Sequence, residues 1–189
     1  MKILIEERIE YWKWFHARQC FYRAKIQLEE LIEFRKIKLE GKNIWKFQNM
    51  LTAFFGIYGK PFKRNNNVGK LSEEIIPDNF LLLHKQMITY RDKLFLHGDL
   101  NGKLEEVNEF MEKITLVKNN SKFHWELSQL LPSPERLQEY LEIVDELVTK
   151  SKYYVDKFNN KWKFISLLPN GKYELNIRNE NGDALIKTE

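Results

Sequence analysis

The residues best suited to chemistry lie in one short run, MITYRDKLFLHGDLNG, at positions 87–102. Arg91 carries a permanent charge on a planar guanidinium, which suits a phosphate group. His97 can give or take a proton near neutral pH. A histidine that moves protons at the 2′-hydroxyl or the leaving 5′-oxygen, with an arginine that stabilises charge on the phosphate, suffices to cleave RNA without a metal ion. Asp92 and Asp99 could orient either group.

The spacing of Arg91 and His97 constrains this chemistry. At roughly 100° per residue, six residues of ideal helix leave the two side chains about 120° apart, so they do not share a face. Either the helix loosens before His97, or the two groups meet across a dimer axis, where two copies of the helix end build one cleft. A structural interpretation also fits: Arg91 pairs with a buried acid, and His97 bonds the last carbonyls of its helix.

The run RDKLFLH, residues 91–97, resembles the signature of the HEPN superfamily. In that signature an arginine, a polar residue and, a few residues later, a histidine stand near the end of a helix in a helical bundle. The wider run HKQMITYRDKLFLHGD, residues 84–99, is similar to HEPN proteins linked to phage abortive infection. The position before the histidine normally holds a small residue; here it is Leu96, which would crowd the site.

The resemblance implies a HEPN-like bundle of long up-and-down helices that forms a homodimer. It implies a metal-independent endoribonuclease without a cofactor, in phage defence or in a toxin–antitoxin system. Arg91 would bind the scissile phosphate and His97 would transfer protons. Asp92 would orient these two side chains. The implied partners are RNA and an antitoxin or regulatory protein. Because other HEPN proteins keep the fold without the activity, a non-catalytic dimeric binding or regulatory protein is the alternative.

Helical signals occupy most of the chain. Residues 4–39 carry apolar side chains in helical register, as one helix or as two with a bend near Cys20. A second helix is predicted to begin at Asn43 as its N-cap and to end by Pro61.

Two more helices are predicted downstream. One begins at Pro77 and runs to about His97, where Gly98 suits the position after the cap. The other follows Ser133, a capping residue, with Pro134 at the first helical position and a continuous apolar face behind it.

Two segments predict β-structure. The run KITLVKNNSKFHWELS predicts a hairpin at about residues 110–130, because β-branched and aromatic residues flank the turn formers NNS. The tail carries the turn signals PNG and NENG between short strand-like runs. We therefore expect a mainly α fold, with residues 1–160 as the helical bundle. Residues 161–189 form a C-terminal β-hairpin extension of the same domain.

Composition narrows the class of protein. The chain has 189 residues and a single cysteine, Cys20, so it can form no internal disulfide, and it has no Cys/His spacing typical of zinc. No apolar run is long enough to span a bilayer, and the first residues do not resemble a secretory signal. We expect a cytoplasmic protein without a membrane partner. His84 fits a satisfied core position rather than a third catalytic one, and His16, which lies among aromatic residues, fits a structural role.

The net charge of +4 permits contact with nucleic acid without requiring it. The clearest local surplus is GKPFKRNNNVGK, residues 59–70, which has four cations and no acid. A solvated loop is one interpretation of this run. The functional interpretation of the run is contact with the phosphates of a nucleic acid. The side chains that would make this contact are Lys60, Lys63, Arg64 and Lys70.

Overall fold

The computed structural model describes residues 3–64, 68–95, 113–119, 122–128, 131–177 and 183–188. Over these residues the fold is mainly helical with two small antiparallel hairpins, as the sequence predicts. The α-helices are α1 (Ile5–Arg35), α2 (Lys42–Gly59), α3 (Leu81–Thr89) and α4 (Pro134–Lys161).

The first segment is one helix without a break at Cys20, because no proline or glycine interrupts it between Ile5 and Arg35. The predicted start of α2 at Asn43 is wrong by two residues. Gly41 holds the N-cap position with φ +53°, a backbone conformation that glycine adopts without steric cost. The side-chain amide of Asn43 instead donates from Nδ2 to the Lys38 carbonyl at 3.3 Å.

The helix predicted from Pro77 consists of three consecutive forms. A 3₁₀ turn, Asp78–Phe80, leads into α3, and the chain then widens into a π-helix, Tyr90–Phe95. The predicted end at His97 lies outside the described residues. The start of α4 is confirmed: Pro134 opens the helix, and the Ser133 hydroxyl accepts a hydrogen bond from the Arg136 amide at 3.2 Å.

Both predicted hairpins are present. β1 (Lys113–Asn119) pairs with β2 (Lys122–Ser128), with Leu116 opposite Trp125. Near the C-terminus, β3 (Tyr173–Leu175) pairs with β4 (Leu185–Lys187).

The core lies where α4 and α2 pack on α1. The apolar face of α4 buries Leu137, Tyr140, Val144 and Leu147, as its helical spacing predicts. From α2, the buried side chains are mostly aromatic: Phe47, Phe54, Phe55 and Tyr58. Aromatic rings bury large apolar areas, so these helices gain most of their stability from each other.

The aromatic group at the start of α1 divides between core and surface. Trp14 and Phe21 are buried, and Trp14 stacks on Tyr154 of α4 with ring centroids 3.9 Å apart. Phe15 and Tyr22 are exposed, and Trp12 is half-buried. Core packing therefore accounts for only part of this group, and the remainder forms surfaces.

Candidate functional site

The helix that carries the RD motif loosens before position 97. Hydrogen bonds from residue i to i+5 widen the turn over Tyr90–Phe95, so the angles of an ideal α-helix do not apply there. This is one of the two conditions under which Arg91 and His97 could meet. Such widened turns occur often at functional sites. Tyr90 is fully buried and packs on Phe55 at 5.4 Å, which anchors the turn to α2.

Arg91 lies at the edge of the core, with only 16% of its side chain exposed. Its Nη1 donates to Asp92 Oδ1 at 2.7 Å, and its Nε is buried with no hydrogen-bond partner among the described residues. The end of α2 makes room for it, because a Cβ at Gly59 would overlap Arg91 Cδ and lie 3.1 Å from Nε. Gly59 is therefore part of the site, although its sequence context indicated only the end of a helix.

Asp92 bonds two cations. One carboxylate oxygen accepts from Arg91, and the other accepts from Lys63 Nζ in the loop that follows α2. The structure thus brings together Arg91, Asp92 and one of the predicted phosphate-contact residues. His97 and Asp99 lie outside the described residues, so the structure gives no geometry for proton transfer.

The predicted phosphate-contact residues surround two adjoining cavities. The Trp12 cavity has a volume of about 220 Å³, and its lining includes Trp12, Lys13, His16, Lys60, Lys63 and Arg64. The Ile88 cavity has a volume of about 530 Å³, and its lining includes Phe62, Lys63, Arg64, Lys70, Glu73 and Ile88. Lys63 and Arg64 line both cavities, so the two cavities adjoin at these side chains, and we call the pair the basic groove.

One wall of the Trp12 cavity is aromatic. The rings of Trp12 and His16 stack with centroids 4.8 Å apart and planes within 5° of parallel. Burial, and next the charge of Lys60, lower the pKa of His16, so its ring is neutral at pH 7. His16 lies among aromatic side chains, as the sequence predicts, and it is half-buried where it lines this cavity; its structural role stays a prediction. The spacing of four residues beside Lys13 was the signal for this wall.

Cys20 is buried next to His16, with its Sγ 3.7 Å from His16 Nε2. Burial raises the pKa of the Cys20 thiol, so it stays protonated and is a poor nucleophile. His16 and Cys20 therefore do not form a catalytic pair.

His84 is a core residue, as the sequence predicts. It is fully buried, its Nδ1 lies 2.7 Å from the Tyr58 hydroxyl, and its ring packs edge-on against Phe62. Burial lowers the pKa of His84 to about 4 and raises that of Tyr58 well above its usual value. Both groups are therefore uncharged at pH 7, and the hydrogen bond between them is structural.

Among the described residues, no group of three or more histidine, cysteine, aspartate or glutamate side chains is placed to hold a metal ion. None of the helices in the described ranges has the length and apolar character to cross a membrane. Comparisons with protein-family models, with curated proteins and with solved structures give no significant match.

Proposed function

We propose that this protein is a metal-independent endoribonuclease of HEPN type, acting as a cytoplasmic homodimer in phage defence or a toxin–antitoxin system. Arg91 binds the scissile phosphate and stabilises its developing charge. His97 transfers protons. Asp92 holds the guanidinium in place, and an antitoxin or regulatory protein is the expected second partner.

The observation that carries this proposal is the link from Arg91 through Asp92 to Lys63. It joins the arginine of the motif to the basic groove, where a phosphate backbone would be attracted. One carboxylate between two cations leaves a net positive charge. The contact to Asp92 uses one of the five N–H donors of the Arg91 guanidinium. Because this contact fixes the orientation of the guanidinium, its other donors can meet a phosphate with less loss of entropy than those of a freely rotating side chain.

Cleavage of mixed RNA by the purified protein in a chelating buffer tests the proposal. We expect His97→Ala and Arg91→Ala each to lower the rate by roughly 100-fold or more, the usual contribution of a proton-transfer group or a charge-stabilising donor. Arg23→Ala, which removes an exposed arginine of α1, is the matched control and should cleave normally. Undiminished cleavage by His97→Ala would refute its assigned role.

The alternative is a non-catalytic dimeric binding or regulatory protein. An exposed apolar stripe on α1 fits the dimer that both candidates require. Phe15, Tyr22 and Ile26 are 43%, 55% and 41% exposed and follow one face of the helix. We expect a second copy of the chain to cover this stripe. Sedimentation of the wild type and of Tyr22→Glu/Ile26→Glu tests this: loss of a dimer in the variant supports the stripe as the interface. A wild-type dimer that cleaves no RNA would favour the alternative over the enzyme.

A further inference from the structure

We infer that the groove formed by the Trp12 and Ile88 cavities is a track for single-stranded RNA, with one base against the Trp12–His16 wall. The phosphates of the neighbouring units would lie on Lys60 and Arg64. This inference rests on the proposed function, because it names the form of RNA that reaches Arg91. It assigns a positioning role to residues of α1, 75 or more positions before the motif.

The Ile88 end of the groove lies close to Arg91, although Arg91 lines neither cavity. Ile88 lines the Ile88 cavity and lies in α3, three residues before Arg91 in the π-helix that follows. A Cβ at Gly59 would lie 3.3 Å from Ile88 Cδ1 and 3.1 Å from Arg91 Nε, so these two side chains occupy the same corner. Lys63 and Arg64 line both cavities and lie where the two adjoin. A strand that follows the groove would thus run from the aromatic wall to the guanidinium.

The cations of the groove differ in what they already bind. Lys13 lies 3.4 Å from Glu10, Lys70 lies 3.8 Å from Glu73, and Lys63 binds Asp92. Among the described residues, no carboxylate lies within 4 Å of Lys60 or Arg64, and both side chains are exposed. These two cations are therefore the ones available to a phosphate.

The size and chemistry of the Trp12 cavity favour one unit of a strand. Its volume of about 220 Å³ is below the roughly 300–1,000 Å³ of pockets that enclose a whole small-molecule ligand. The uncharged rings of Trp12 and His16 suit stacking against a base, and the cations beside them suit its phosphate. Proteins that bind single strands use this combination. In a duplex the bases are already stacked on each other and cannot reach the wall.

Fluorescence anisotropy with 2′-O-methyl oligonucleotides separates binding from cleavage, since these strands lack the 2′-hydroxyl nucleophile. We expect a single-stranded hexamer to bind at least tenfold tighter than the same sequence in a duplex. Trp12→Ala should weaken binding about tenfold, while Trp12→Phe should bind nearly as the wild type does. Trp45→Ala is the control, because Trp45 is an exposed tryptophan outside the groove. Circular dichroism of each variant confirms that it is folded.

The charge of the track is tested by the salt dependence of the same binding. In the double variant Lys60→Ala/Arg64→Ala, the plot of log affinity against log salt concentration should be less steep by about 1.4. Each phosphate contact that a single strand loses contributes about 0.7 to this change. An unchanged slope, or full affinity in a folded Trp12→Ala, would overturn the inference.

Adenosine and uridine monophosphates as competitors distinguish a free nucleotide from a strand. Displacement of the hexamer by either at a concentration near the dissociation constant of the hexamer would overturn the strand assignment. Displacement only at 100-fold or higher concentration would support it. The same experiments distinguish failure of this inference from failure of the proposed function. Tight binding that depends on Trp12, without any RNA cleavage, would refute the nuclease activity and still support the RNA-binding groove.

Discussion

Asp92 accepts a hydrogen bond from Lys63, which ties the π-helical turn after α3 to the loop after α2. The other oxygen of the same carboxylate holds Arg91 at 2.7 Å. A single side chain thus sets the position of two cations that come from different elements. The predictions that follow test whether this arrangement serves chemistry or only packing.

We expect Asp92→Asn to lower RNA cleavage at least tenfold while RNA affinity stays constant or rises. The amide leaves Lys63 and Arg91 without a neutralising charge, and its uncharged oxygen holds the guanidinium less firmly than the carboxylate does. Because the pair is partly exposed, the free energy of unfolding should fall by less than about 1 kcal/mol. Cleavage rates and binding isotherms measure the two effects separately. Asp156→Asn, which breaks the 2.6 Å pair with Lys152 on α4, should change neither.

Gly59→Ala should displace Arg91 and lower cleavage at least tenfold. The new methyl group would overlap Arg91 Cδ, so the arginine must leave its place beside Asp92. Gly56→Ala is the matched control: a Cβ there meets no atom within 4 Å, and replacing a helical glycine should raise the free energy of unfolding by up to about 1 kcal/mol. Cleavage assays and urea unfolding check both variants. Equal cleavage by the two would show that the position of Arg91 does not matter.

His84 should make stability depend on pH between about 4 and 6.5. Its pKa in the folded protein is about 4, below the 6.5 of an unfolded histidine, so the unfolded state binds more protons in this window. The free energy of unfolding should therefore fall as the pH drops from 6.5 towards 4, by up to about 3 kcal/mol.

Urea titrations of wild type and His84→Asn at several pH values measure this contribution. The variant keeps a short polar group opposite the Tyr58 hydroxyl and has no titrating ring. It should lose most of the slope in this window, whatever its overall stability. A slope as steep in the variant as in the wild type would assign the pH dependence to other groups.

Ser133→Ala should lower the free energy of unfolding by about 1 kcal/mol, because the Arg136 amide loses the hydroxyl that accepts its hydrogen bond. Ser133→Asp should restore the cap and unfold at nearly the wild-type urea concentration. RNA cleavage should be the same in all three proteins, since this cap lies outside the basic groove. A cleavage defect in Ser133→Ala would place the start of α4 in the functional site.

Much of the fold could be predicted because it depends on local interactions. The apolar spacing of α4 and its Ser133–Pro134 start, and the turn formers of both hairpins, act within a few residues of the structure that they specify. The start of α2 was misplaced because Asn43 and Gly41 both suit a helix start. Only the geometry of the connection from α1 requires the positive φ that glycine supplies.

The sequence by itself determined which residues have the charge and hydrogen-bonding capacity for the proposed chemistry, the RD motif and the cations of residues 59–70, because these properties belong to a side chain wherever it lies. Only the tertiary structure decided that Asp92 bonds Lys63, that Gly59 leaves space for Arg91, and that Trp12 and His16 face the cations. These relations join segments that are tens of residues apart. They follow from how α1, α2 and α3 pack on each other, and no local pattern encodes that packing.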